Sequence, residues 1–373
     1  MLRRINEMHF YVTSNCNMNC VYCSNSTKRS AETNKRLMEL NVAKKYVNLI
    51  FSNTHCGNII IVFHGGEPTL QSLEWYTALI EFIEIQATHY NKVIKFTMQS
   101  NCLNLSDDYL DLFKNKKVII GASLDGPSEI NDLTRANGAV VLTNILKLKT
   151  YDLLGGVICV ITERNCDKVP EILHFFEEMG IYSVNFNIFY SVGGGRKLRP
   201  LSAKQIFGTY KHTYEYLKAT RGKRIIERSV AIMVSKFFKP LTNKETLNNL
   251  NCYSPFCHAA ISTVLCDTEG DLFPCGCSDS PKFKLGSIYS MDVKHYLNVA
   301  RLLHKKDEKY NKICSHCFAN TICSFGCPAY YNDDTVTHRN LCAATKKFYQ
   351  FLEGESKDNI KNIAKASKIC FNK

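Results

Sequence analysis

From Met8 to about residue 190 the chain alternates short β-branched runs with amphipathic helical stretches, and nothing else in it constrains the fold so strongly. Met8–Thr13, Ile59–His64, Val93–Met98, Val118–Leu124, Val157–Thr162 and Ser183–Phe189 read as strands. Between them lie the helical segments Ala43–Phe51, Leu73–Ile85, Asp107–Phe113 and Val169–Met179. The last carries Ile172, Phe175, Phe176 and Met179 at a helical period. Strands separated by helices imply βαβ units, a parallel sheet and right-handed crossovers. In parallel barrels the reactive groups gather at the C-terminal ends of the strands, which is where Cys16, His64, Gln99 and Asp125 fall.

The first strand runs into Thr13-Ser14-Asn15-Cys16-Asn17-Met18-Asn19-Cys20-Val21-Tyr22-Cys23, a C-x3-C-x2-C loop. Thiolates this close in sequence wrap one small soft-metal centre, and sulfur ligands select zinc, copper or iron–sulfur clusters. No other Cys or His follows before His55 and Cys56, so a closed four-ligand zinc site lacks its fourth local ligand. A cubane held by three cysteines keeps one iron open to a substrate.

The chain has 373 residues and 18 cysteines, room for one large or two medium domains. A secreted disulfide scaffold is usually short and has a signal peptide. Here Met1-Leu2-Arg3-Arg4-Ile5-Asn6-Glu7 has no apolar stretch behind its basic residues. No apolar run approaches the roughly 20 residues of a membrane span. The expectation is a reducing cytoplasm, no membrane association, and cysteines serving as thiolate ligands. A net charge of +13 would attract polyanions, acidic peptides or an acidic redox partner. The lysines are scattered, however, with no basic stripe interleaved with aromatics, which disfavours nucleic acid. The Lys-rich end from Lys357 to Lys373 reads as a solvated helix face.

Four regions follow: residues 1–192 as the alternating domain, 193–250 as a helical connector, 251–345 as a cysteine-rich module, and 346–373 as a helical tail. The connector opens on Gly193-Gly194-Gly195, read as a hinge, and continues in helices near Ala203–Ala219 and Ile225–Phe238 with no visible chemistry. From Cys252 to Cys342 the periodicity fades and cysteines crowd together.

The C-x3-C-x2-C loop, with Tyr22 before its third cysteine, resembles the radical S-adenosylmethionine (SAM) enzymes. That resemblance implies an α/β fold, a partial (β/α)6 TIM-like barrel, with Cys16, Cys20 and Cys23 holding one 4Fe–4S cluster. In the superfamily the open iron chelates the methionine part of SAM, and an electron from the cluster releases a 5′-deoxyadenosyl radical. His64-Gly65-Gly66-Glu67-Pro68 matches the GGE motif, whose backbone binds SAM's amino group, so Gly65, Gly66, Glu67 and Pro68 are implied cofactor contacts. Gly121-Ala122-Ser123-Leu124-Asp125-Gly126-Pro127, with Asn131-Asp132 and Arg135, matches a block of the peptide-modifying branch. Ser123 and Arg135 there meet the SAM carboxylate and ribose side, a role the planar fork of an arginine suits. Asp125 belongs to the same block. Gln99, closing the third strand, is expected to line the pocket, and Val160 and the stretch Ile188 to Val192 to flank adenine.

The downstream cysteines resemble a SPASM module element by element: Cys257, Gly270 and Cys275, then Cys314-x2-Cys317-x5-Cys323-x3-Cys327, and Cys342. By that resemblance Cys252, Cys257, Cys275 and Cys327 hold one auxiliary 4Fe–4S cluster. Cys314, Cys317, Cys323 and Cys342 hold a second, giving three clusters in all. Zinc ribbons are the structural alternative. Of the remaining cysteines, Cys159 and Cys266 sit in apolar runs and read as core thiols. Cys277 is expected to face the active site.

The motifs imply oxidative modification of a peptide or protein, fed by a reductase, flavodoxin-type or ferredoxin-type electron donor. Two groups resemble the chain: maturases of ribosomally made peptides, and anaerobic sulfatase-maturating enzymes, which oxidise a Cys or Ser to formylglycine. The second group carries a general-base Asp directly after the cysteine that is Cys275 here. This chain has Gly276 there, and Asp279 is the nearest candidate. Fifteen residues precede Cys16, too few for a leader-binding domain, so leader recognition would fall to the C-terminal module or a separate leader-binding protein. Peptide modification is the first expectation, sulfatase maturation the second, and a zinc-bearing nucleic-acid-binding protein the third.

Overall fold

In the computed structural model, residues 2–24, 37–239, 257–277, 280–305, 308–323, 326–330 and 333–371 are described. The first half folds as five βα steps and a sixth strand. They are β1 (Glu7–Tyr11), α1 (Leu40–Asn53), β2 (Asn58–His64), α2 (Leu73–His89), β3 (Val93–Ser100), α3 (Asp107–Asn115), β4 (Ile119–Ser123), the short α4 (Ser128–Asn131), α5 (Gly138–Thr150), β5 (Leu154–Ile161), α6 (Val169–Glu178) and β6 (Ser183–Ile188). The six strands pair in parallel in chain order, with Glu7 opposite Ile60 and Tyr11 opposite His64 across the first pair. β1 and β6 are not neighbours, so the barrel stays open.

Alternation along each strand sets the two faces. On β1, Met8 and Phe10 are fully buried against the helices, and the Phe10 ring meets Tyr46 of α1 edge-on at 4.9 Å. On β2, Ile59, Ile61 and Phe63 do the same, with Phe63 against Trp75 and Tyr76 of α2. Each such side chain contributes about 1.5–3 kcal/mol by leaving water. Glu7, His9, Tyr11 and His64 take the opposite face, the lumen.

The sheet does not end with the sixth strand. β7 (Ile226–Glu227) pairs with β6. At the other edge β8 (Thr263–Cys266) lies parallel to β1, with Glu7 opposite Thr263 and Phe10 opposite Cys266. β9 (Asp271–Phe273) and β10 (Gly286–Ser287) add antiparallel strands beyond it. Tyr46 donates its hydroxyl to the Val264 carbonyl at 2.7 Å, tying α1 to this added edge. The cysteine-rich region expected at 251–345 is thus joined to the barrel through three strands that its faded periodicity conceals.

The remaining helices are α7 (Ala203–Thr220), α8 (Arg228–Phe238), α9 (Val293–His304), α10 (Glu308–Ser315), α11 (Thr335–Glu353) and α12 (Lys357–Phe371). A capping box of Ser202 and Gln205 starts α7. Glu227 starts α8, its buried carboxylate accepting from the Ser229 and Val230 amides and from Phe186 on β6. The Lys-rich end shows the expected solvated face, with Lys357, Lys361 and Lys365 exposed, while the opposite face of α12 buries Ile360, Ile363 and Ala364 and packs on α8. Cys159 and Cys266 are core thiols with no exposed surface.

Candidate active site

The cysteine loop after β1 is clamped from two sides. On one side it is zipped to the turn after β2: Val12 donates to the His64 carbonyl at 2.9 Å, Gly66 to Thr13 at 2.7 Å, and Glu67 to Asn15 at 2.8 Å. A Cβ on Gly65 would come within 2.5 Å of the Thr13 oxygen, and one on Gly66 within 2.0 Å of the Asn15 oxygen. The paired glycines therefore admit the neighbouring backbone. On the other side the turn Gly193–Lys197 donates from Gly194 to the Cys23 carbonyl at 2.9 Å. Gly193 has φ of +55°, and a Cβ there would lie 2.3 Å from the Ser24 oxygen. The expected hinge is instead a clamp.

Two side chains present N–H groups to the loop's sulfurs. Asn101 Nδ2 lies 3.7 Å from Cys16 Sγ, and Arg135 Nη1 lies 4.0 Å from Cys20 Sγ. Arg135 also stacks over Tyr22 at 5.3 Å. Behind both stands Asp125, fully buried. Its carboxylate accepts from Tyr22 Oη at 2.6 Å, Thr134 Oγ1 at 2.7 Å and the Val160 amide at 2.8 Å. Arg135 Nε sits 3.1 Å away as an ion pair, off the line that a hydrogen bond requires. Burial pushes the Tyr22 phenol well above its ordinary range, with Arg135 opposing and Asp125 adding to the rise, so Tyr22 stays a donor.

Glu67 lines the chamber while its carboxylate turns inward, and Pro68 does not line it. The Glu67 carboxylate, 1% exposed, accepts from Thr69 Oγ1 at 2.8 Å, Ser100 Oγ at 2.8 Å, and the Thr69 and Asn101 amides at 3.0 and 2.7 Å. It braces the turn against the end of β3. Pro68 is buried under that turn, its carbonyl accepting from Tyr76. Asp125, likewise, acts behind the wall, through the residues it holds. Gln99 reaches Ser123 Oγ at 2.9 Å, and both line the site with Val160 and Val192.

All these features open on one cavity of about 880 Å³. Cys16, Cys20 and Cys23 line it, and so do Cys277, Cys314, Cys317, Cys323, Cys327 and Cys342. Cysteines from both halves of the chain therefore share a single chamber. Cys257 and Cys275 stand outside its wall; burial chiefly, with Cys275 nearby, pushes the Cys257 thiol up to about 11. Cys252 and Asp279 lie outside the described residues. Among the described residues no three His, Cys, Asp or Glu side chains gather closely enough for a single metal ion. What fits a centre here is the donor set, three thiols beside an open chamber with N–H groups aimed at two of them.

Sequence reasoning missed one wall of the chamber. Tyr210 of α7 and Ser229, Met233 and Lys236 of α8 line it, so the presumed connector helps build the site. The spacing of Ser229, Met233 and Lys236 is one helix face, a signal that was present. His338, Cys342, Thr345 and Tyr349 likewise form one stripe of α11. Lys236 is 2% exposed, and burial pulls its ammonium down to about 8. With Arg135, Arg339 and Lys346 it makes the wall cationic; among the described residues the one carboxylate in that wall is the fully engaged Glu67. His64 also faces the chamber. Its Nδ1 accepts from the Gly65 amide at 2.8 Å, while burial and then His9 hold it down at about 4.

A parallel open barrel with three cysteines on the loop after β1 and a glycine turn after β2 defines a class. Residues 10–176 match the radical SAM superfamily, which makes this part of the chain a radical SAM domain. The chain thus carries a radical SAM domain, and along nearly its whole length it is similar to the anaerobic sulfatase maturases. The cysteine-type anaerobic sulfatase-maturating enzyme of Clostridium novyi is 24% identical over 96% of this chain and 95% of its own length. Among solved structures, anSMEcpe with bound AdoMet shares the fold with a TM-score of 0.81 at 20% identity, covering 98% of both chains. SuiB of Streptococcus suis, bound to S-adenosylmethionine, gives a TM-score of 0.63 at 14% identity, over 90% of this chain and 75% of its own. A zinc-bearing nucleic-acid-binding protein does not account for these matches. Among the described residues no helix is long and apolar enough to cross a membrane.

Proposed function

We propose that the chain cleaves SAM reductively and uses the radical to oxidise a side chain of a peptide or protein. The observation that carries this reading is the shared chamber: Cys16, Cys20 and Cys23 face Cys314, Cys317, Cys323, Cys327 and Cys342 across one cavity. Cys16, Cys20 and Cys23 would hold a 4Fe–4S cluster, and the Gly65–Glu67 turn, Gln99, Ser123, Arg135, Val160 and Val192 would surround SAM. Bound there, cluster and SAM supply a one-electron reductant and a carbon radical able to abstract hydrogen. Cys257, Cys275 and Cys327 with Cys252 would hold one auxiliary cluster, and Cys314, Cys317, Cys323 and Cys342 the other. Four-thiolate sites of this kind carry electrons, with potentials set by burial and hydrogen bonds.

The chain's own residues do the positioning. Asp125 orients Tyr22 and Arg135 on the side of Cys20, and Arg135 offers a cation to the SAM carboxylate. Tyr22, Phe186, Phe189 and Tyr190 give the chamber an aromatic wall that excludes water, and Lys236, Arg339 and Lys346 offset the negative charge of thiolate-bound iron. Peptide substrates fit a chamber of this size, and two structurally similar proteins form peptide complexes, anSMEcpe with the Cp18Cys peptide and SuiB with the precursor peptide SuiA. Similarity to sulfatase maturases along almost the whole chain favours a second reading, formylglycine formation. A flavodoxin- or ferredoxin-type donor would supply the electrons.

Anaerobic reconstitution tests the proposal. The expected protein is brown, holds about twelve irons per chain, and makes 5′-deoxyadenosine from SAM and dithionite. Stoichiometric zinc without iron would overturn it. The Cp18Cys peptide, assayed beside short peptides encoded next to this gene, separates the two substrate readings.

A further inference from the structure

We propose that His9, held by Glu7, is the base that takes the proton lost when the substrate is oxidised. This rests on the function proposed above and names a residue for its second half. His9 lies on the lumen face of β1, and its Nε2 is 2.6 Å from Glu7 Oε1. A carboxylate accepts, so Nε2 carries the hydrogen, and in the neutral ring Nδ1 is then a bare lone pair. That Nδ1 is buried and has no hydrogen-bond partner among the described residues. A buried acceptor left unpaired costs stability, and a carboxylate–imidazole pair with one nitrogen free is the arrangement of a general base.

Its surroundings say what it faces. Gly276 sits across the seam between β1 and the added edge of the sheet. A Cβ at that position would be 3.7 Å from His9 Nδ1 and 4.0 Å from His64 Cε1. His64 and Cys277, the residue after Gly276, both line the chamber. Glycine at 276 therefore leaves the space before Nδ1 free of a side chain from the 275–277 loop, beside His64 and Cys277, which line the chamber. His64 cannot take this role, because its Nδ1 already accepts from Gly65 and its Nε2 carries the hydrogen.

The chemistry balances as follows for a thiol substrate. The carbon next to sulfur gives a hydrogen atom to the deoxyadenosyl radical. The S–H proton then moves to His9 Nδ1 as the C–S single bond becomes a double bond, and an iron–sulfur cluster, which the downstream cysteines would hold, would supply the acceptor for the remaining electron. Two protons and two electrons have left the side chain. The imidazolium is paired with Glu7 and returns its proton to water.

The test uses reconstituted enzyme with the Cp18Cys peptide deuterated at the cysteine β-carbon. Deuterium entering 5′-deoxyadenosine reports abstraction, and oxidised peptide reports the complete reaction. In H9Q, label transfer is expected to stay within about twofold of the unaltered enzyme while product falls at least about tenfold, roughly 1.4 kcal/mol of barrier. Adding G276D to H9Q places a carboxylate against the same gap and is expected to restore product. Undiminished product in H9Q, or product falling only in step with label transfer, overturns the assignment. So does an H9Q/G276D enzyme of normal iron content that is no better than H9Q. Absent label transfer in the unaltered enzyme would instead count against the peptide reading, and the tautomer then decides for His9. Proton–nitrogen NMR of the unaltered holoenzyme is expected to show Nε2–H with a bare Nδ1; a hydrogen on Nδ1 overturns the proposal.

Discussion

Replacing Asp125 by Asn should cost more stability than any other single-atom change near the site. The substitution keeps the shape and removes one charge. Tyr22 and Thr134 reach Oδ2 through hydroxyls, which can rotate to accept from an amide nitrogen. The Val160 amide and Arg135 reach Oδ1 and can only donate, so the Asn oxygen must turn to them. Geometry is then largely kept, but Arg135, whose side chain is 9% exposed, loses its counter-charge. Breaking a buried pair on one side costs about 3–5 kcal/mol, whereas removing both partners is far milder. D125N should therefore lose about 3–5 kcal/mol, and D125N/R135M should recover about 1.5–3 kcal/mol of it as coupling. Anaerobic urea titrations of the four proteins, compared at equal slopes, measure this. A D125N loss below about 1 kcal/mol, or strictly additive costs, would refute the view that Asp125 organises this wall by charge.

Three further outcomes are expected. G66A forces a Cβ to within 2.0 Å of the Asn15 oxygen and 2.6 Å of its carbonyl carbon; backbone cannot yield as a side chain would, so SAM-dependent 5′-deoxyadenosine formation should drop at least about tenfold. His64 is depressed from 6.5 to about 4, so the unfolded chain takes up its proton first as pH falls. The stability His64 contributes is complete above about pH 6.5 and lost toward pH 4, about 3 kcal/mol in all; H64Q should flatten that part of the unfolding-versus-pH curve. Replacing Cys16, Cys20 and Cys23 together by Ala should abolish SAM cleavage while leaving about eight irons per chain by metal analysis.

The barrel was legible because each βα step carries its own local signal. Ile59, Ile61 and Phe63 alternate with lumen residues on β2, and Ile172 and Phe176 mark the buried face of α6. Strand limits shifted by one to three residues, as at β5, where Leu154 begins a strand expected from Val157. The site's cysteines were legible from spacing. Their division of labour was not, because it depends on which atoms face the chamber: the carboxylates of Glu67 and Asp125 are taken up by bracing hydrogen bonds that no motif reveals.

What escaped the sequence was long-range pairing. Thr263–Cys266 is four residues long and buried on every position, so it shows no alternation, and its partner is β1, some 250 residues upstream. Yet this pairing fixes the relation of the two cysteine sets. It lays the 275–277 loop along the same β1 strand whose C-terminal end carries Cys16, and whose lumen face carries Glu7, His9 and Tyr11. A parallel pair has one register that buries the right face; a slip of one residue would turn Leu265, packed in the lumen with Tyr11 and Phe273, to the helix side. The register of β8 on β1 thus sets the distance from the Cys16–Cys23 loop to the downstream cysteines, and it does so through residues that carry no chemistry themselves.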